Sequence, residues 1–133
     1  MNRLSGPLLD RIDVKLRVDN PTRAELASND PRESSEEMRR RVESARAIAR
    51  ERFAGLGFEL NSAIPSEFLR RKFRADSKAM SMLHILIERE EITARGFHKI
   101  LRLAWTIADL RGVSIPGVDE VEAALALRTE TSQ

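Results

Sequence analysis

Residues 92–112 read ITARGFHKILRLAWTIADLRG. Phe97, Ile100, Leu101, Ala104 and Ala108, with Leu103, Ile107 and Leu110 beside them, recur at spacings of three and four, the period of an α-helix with a broad apolar face. A face that wide has to be covered by other helices. Thr93 carries the side chain that caps a first turn, and Gly112 has the backbone freedom that ends a last one. Arg95 then falls in the first turn, where unpaired backbone N–H groups and the helix dipole already favour an anion. Arg102 follows about two turns later on the same side. Both guanidinium groups can therefore meet phosphate, although an arginine near a helix start is more commonly a solvated residue or half of a weak surface ion pair.

Working outward towards the N-terminus, Glu88 to Glu91 form a turn, and before it Ala79, Met80, Leu83, Leu86 and Ile87 pattern a helix starting at Asp76 or Ser77. Met80 and Met82 read as core filler. Ser66 can cap a short helix through Phe73, which ends in the basic run Arg70, Arg71, Lys72 and Arg74. Residues 61–65, NSAIP, are a loop. Further upstream, Ser34 or Ser35 caps a helix whose buried stripe is Met38, Val42, Ala45, Ile48, Ala49 and Phe53, with Gly55 and Gly57 stopping it. Its outer face carries Arg39, Arg40, Arg41, Arg46, Arg50 and Arg52 among Glu36, Glu37, Glu43 and Glu51. Pairs such as Glu36 with Arg40 and Glu37 with Arg41 contribute roughly 0.2 to 0.5 kcal/mol each. That favours a solvated face over a nucleic-acid face, since no aromatic residues are interleaved for base stacking.

Ile12, Val14, Leu16 and Val18 alternate with Asp13, Lys15, Arg17 and Asp19, and a period of two is a strand. No second strand follows, so its backbone groups need partners from a larger sheet or another copy. Asn20-Pro21 ends the strand, and the polar residues 22–34 read as a hinge. Beyond the central helix, residues 113–117 are a loop, Val118, Val121, Ala124, Leu125 and Leu127 pattern a last short helix, and residues 129–133 are a polar tail.

The totals bound the function. At 133 residues, with 41% hydrophobic, 33% charged and 5% aromatic residues, the chain reads as one helix-rich domain of modest, aliphatic core, or as a piece of a larger one. With no apolar run that could span a bilayer and no signal peptide, a cytoplasmic location without membrane contact is expected. No cysteine and two histidines, His84 and His98, exclude disulfides, thiolate metal sites and a cysteine nucleophile. The net charge of +2 is small, but a pI near 9.5 leaves acidic partners open. Gly112 and Gly117 have P-loop glycine spacing, yet Val118 stands where lysine must be. No strand end carries an acidic pair for magnesium, and no GxSxG elbow presents a serine. The chain alone is not expected to be an enzyme.

Residues 4–13, LSGPLLDRID, followed by VKLRV, closely resemble the segment leading into the last core strand of magnesium-chelatase-like AAA+ ATPases, particularly the ComM/YifB family. Residues 92–112 resemble the sensor-2 helix of that family, and residues 118–128, VDEVEAALALR, its closing helix. The matches occur in family order and cover nearly the whole chain, with residues 22–57 matched mainly by helix pattern.

The resemblance implies a mainly α fold, a small AAA+ lid bundle of four to five helices preceded by one short strand from the AAA+ core. Residues 1–20 would be the end of that core, 21–34 a linker and 35–133 the helical lid. Arg11 would be the arginine finger, reaching the γ-phosphate of ATP on the neighbouring subunit. Arg95 would be the sensor-2 contact to phosphate, with Arg102 a further candidate. The cofactor implied is ATP with magnesium in a longer parent, and none is expected to bind tightly to this segment. The partners implied are neighbouring subunits of a homo-hexamer, the rest of the AAA+ core and DNA, with branch migration during natural transformation as the associated activity. Trp105 stands where many relatives carry a basic residue, so core packing or a subunit contact is its better reading. The absent Walker segments imply a C-terminal fragment, Met1 being an expression start or misplaced gene start. Two other readings compete: a helical nucleic-acid-binding module using residues 39–52 or 70–74, and a domain for self-association only.

Overall fold

The computed structural model describes Val14 and residues 34–129. Five α-helices occur among them: α1 (Ser35–Arg52), α2 (Ser66–Arg70), α3 (Ser77–Glu88), α4 (Ala94–Arg111) and α5 (Val118–Thr129), with a 3-10 turn at Asn61–Ala63. The fold is a small helical bundle. The expected strand at 12–18, most of the linker and Arg11 lie outside the described residues.

Helix α4 is the axis of the bundle, packing against α1, α2, α3, α5 and the 3-10 turn. Phe97, Ile100, Leu101, Ala104 and Ala108 are buried as their spacing requires, and Trp105 joins them. Both ends of α4 are made as the sequence implies. The Thr93 side chain accepts from the Gly96 N–H at 2.9 Å, and Gly112 takes a left-handed conformation, φ +72°. Ser34 and Asp76 cap α1 and α3 in the same way, accepting from Glu37 and Ala79.

Two segments differ from their sequence pattern. In α1, Ala45 and Ala49 are buried within the helix and Phe53 at its C-cap, while Met38, Val42 and Ile48 are exposed. Val42 lines a cleft with Ala45, Ala49, Leu60 and Leu110, so α1 meets the bundle along a narrower strip than its apolar stripe suggests. The second difference is α2, which stops at Arg70 instead of reaching Phe73 and has Pro65, not Ser66, at its N-cap position. Leu69 and Phe73 are both buried, as they would be on one face of a continuing helix, but the helix gives way to a turn after Arg70. A turn in which the Phe73 N–H donates to the Phe68 carbonyl at 2.7 Å instead folds Phe73 back into the core.

The junction of α3 and α5 is tight. The Asp76 N–H donates to the Pro116 carbonyl at 2.9 Å, and a Cβ on Gly117 would stand 3.1 Å from the Asp76 carboxylate, which would have to give by a few tenths of an ångström to admit a side chain. Glu120 accepts from the Gly117 N–H at 2.9 Å and from Arg111 at 3.0 Å, a reach back to the first orphan N–H of α5. These donors hold the Glu120 carboxyl below its usual range, the Gly117 N–H having the largest effect.

Candidate functional site

Arg95 sits in the first turn of α4, one residue past the Thr93-capped start, and is exposed. Among the described residues no hydrogen bond or ion pair engages it. A guanidinium without a partner among the described residues, carried at the start of the most deeply packed helix of the bundle, is positioned to meet an anion.

Arg102 lies two turns on and is already engaged. Its Nε donates to the Ile64 carbonyl at 2.9 Å and one terminal nitrogen to Ser66 Oγ at 3.3 Å, tying α4 to the start of α2. Val14 lines a shallow cleft with Arg102, Lys99, Leu103, Thr106 and Ser62. The two arginines expected to act together therefore differ in kind: Arg95 is exposed, whereas Arg102 is half-buried and spans two elements.

Between them stands His98, in a second cleft with Arg70, Arg74, His84 and Phe97. His84 stacks on the Phe97 ring at 5.8 Å and His98 meets it edge-on at 5.5 Å. Burial lowers the His98 pKa below 6.5, and the positive charges of Arg102 and Arg70 lower it further. The region around α4's first two turns thus carries a positive field.

A polar network missed by the sequence analysis anchors the other end of α4. Arg52, expected on the outer face of α1, turns inward and forms a two-pronged ion pair with the buried Asp109 carboxylate. Asn61 donates to Asp109 at 2.9 Å and to Thr106 at 3.2 Å, and accepts from Arg52 at 3.1 Å. The Arg52 guanidinium also lies over the Trp105 ring at 4.3 Å. A signal was present: Asp109 interrupts the apolar face at one position from Ala108 and four from Trp105, and a carboxylate there needs a cationic partner. Trp105 itself donates its indole N–H to the Phe73 carbonyl at 2.8 Å, so it is core, as one of its two readings had it.

Among the described residues no three His, Cys, Asp or Glu side chains gather to hold a metal ion, and no helix is long and apolar enough to cross a membrane. Residues 32–128 match the family described as magnesium chelatase, subunit ChlI C-terminal. The chain belongs to that family. Three relatives of the magnesium-chelatase C-terminal domain place it further. An uncharacterised protein of Mycobacterium tuberculosis is 42% identical over 96% of the chain and 25% of its own length. Competence protein ComM of Haemophilus influenzae is 34% identical over 84% of the chain and 21% of its length. The uncharacterised YifB of Escherichia coli is 30% identical over 96% of the chain and 25% of its length. The chain spans about a quarter of the relatives it matches, and it is of the ComM/YifB type within the magnesium-chelatase-like proteins.

Proposed function

We propose that this magnesium-chelatase C-terminal domain is the nucleotide-facing lid of a cytoplasmic, hexameric AAA+ ATPase. The reading rests above all on Arg95, an exposed guanidinium without a protein partner among the described residues, held in the first turn of α4. That is where a phosphate contact from the lid is needed. Magnesium-bound ATP supplies the γ-phosphoryl group and its charge. Phosphoryl transfer is chiefly positioning and charge neutralisation, so a fixed arginine at the phosphates acts without any nucleophile of its own. Arg95 supplies that charge from the lid, and Arg11, outside the described residues, supplies it to the neighbouring subunit's γ-phosphate as the finger. Arg102 is the weaker candidate because Ile64 and Ser66 already occupy its donors. Hydrolysis would drive DNA remodelling, a step taken from the family resemblance; the Haemophilus influenzae relative is named a competence protein.

The test is ATP turnover by the full-length protein carrying Arg11→Ala or Arg95→Ala, with nucleotide binding measured on the same preparations. A finger arginine contributes about 10³ to 10⁵ in rate, so Arg11→Ala is expected to abolish turnover while binding persists. Arg95→Ala is expected to lower turnover and weaken binding. Turnover unchanged in both variants would sink both assignments and leave the nucleic-acid-binding and self-association readings.

A further inference from the structure

Residues 70–74 form a second feature of the bundle, separate from Arg95. Leu69, Phe73 and Ala75 point into the core, and Arg70, Arg71, Lys72 and Arg74 are all exposed. The backbone between them is fixed three times over: the Arg71 and Phe73 N–H groups both donate to the Phe68 carbonyl, and the Phe73 carbonyl accepts the Trp105 indole N–H. Four cations are thus displayed within five residues on a turn bolted to α4.

The contrast with α1 is informative. There Glu36 takes Arg39 at 2.6 Å and Arg40 at 3.7 Å, and Glu43 stands 3.9 Å from Arg39, so carboxylates of the same helix offset the charges of Arg39 and Arg40. None of the four cations at 70–74 makes an ion pair among the described residues. Their field reaches inward as far as His98, which Arg70 helps to keep neutral.

We infer that the turn at Arg70–Arg74 is a docking surface for the phosphate backbone of nucleic acid, read without base contacts. The partner follows from what the turn lacks as well as what it shows. Its apolar side chains are buried, so it offers no apolar centre of the kind a protein interface is built around. Its aromatic rings, Phe68, Phe73 and Trp105, are buried or half-buried, so no base can stack on it. Closely spaced cations alone suit a polyanion, and a duplex carries one charge per ~1.7 Å of axis. The inference takes its choice of partner from the proposed DNA-remodelling role, but its readout involves no ATP and so stands apart from the role of Arg95.

The test is fluorescence anisotropy of this chain with two labelled 20-base-pair duplexes of unrelated sequence, titrated between 50 and 200 mM salt. Four phosphate contacts predict a slope of log affinity on log salt of about −3.6, and about a hundredfold loss across that range, equal for both duplexes. Arg70→Gln/Arg71→Gln/Arg74→Gln should reduce the slope to about −1. Arg39→Gln/Arg40→Gln/Arg50→Gln removes the same charge from α1 and should leave affinity within about twofold, a control for net charge with helical circular dichroism confirming both folds. Absence of binding at 50 mM salt, equal weakening by the α1 variant, or binding to polyglutamate as tight as to duplex would each overturn the assignment.

Discussion

Asp109 is the residue on which the placement of α1 depends. Its carboxylate is buried with Arg52, Asn61 and Thr106 around it, so truncating it leaves a guanidinium uncompensated at the core's edge. Asp109→Ala is expected to cost about 3 to 5 kcal/mol in chemical denaturation, whereas the double change Arg52→Met/Asp109→Leu should cost much less, because no charge is left behind. His98 carries a different prediction. Its lowered pKa means that the unfolded chain takes up the proton first as pH falls, so its share of stability is complete above about 6.5 and is lost as pH drops through that value. Histidine resonances followed by NMR should show His98 titrating below the usual imidazole value, and Arg70→Ala should move it upward. In Asp109 the sequence showed a charged residue in an apolar stripe, but nothing in the sequence identified Arg52 as its partner, since that pairing spans 57 positions and requires the chain to reverse.

Among elements, the legible ones were those whose ends carry their own chemistry. The caps at Thr93, Gly112 and Asp76 depend on neighbours within four residues and could be read directly. The extent of α2 and the burial of α1 depend on what other helices cover, so local periodicity overstated both. Helix α3 ends in the same hydrogen-bonding pattern as α4, the Glu91 N–H reaching the Leu86 carbonyl at 2.9 Å, but the left-handed position is Glu90 at φ +59° instead of a glycine. Glu90→Gly is therefore expected to raise stability by about 1 kcal/mol in a urea melt, since a side chain in that conformation is strained. At the start of α5, Glu120→Gln should cost about 1 kcal/mol near neutral pH. The difference between variant and parent should shrink as pH falls through the lowered Glu120 pKa, where the carboxylate itself is protonated.

At the scale of the whole molecule, the bundle separates two kinds of positive charge. On α1 the charges of Arg39 and Arg40 are offset by carboxylates of their own helix and that of Arg52 by Asp109, while Arg95 and the turn at 70–74 present charge without a described counterpart. Composition, with its net charge of +2, hid that division, because a total does not record where the carboxylates lie. Trp105, the chain's single tryptophan, stands where the two regions meet, with Arg52 over its ring and its N–H on the backbone of the basic turn. Its emission is accordingly an intrinsic optical probe of both junctions at once. A red shift without loss of helical signal would report that α1 or the 70–74 turn had come away from α4 while the helices themselves stayed wound.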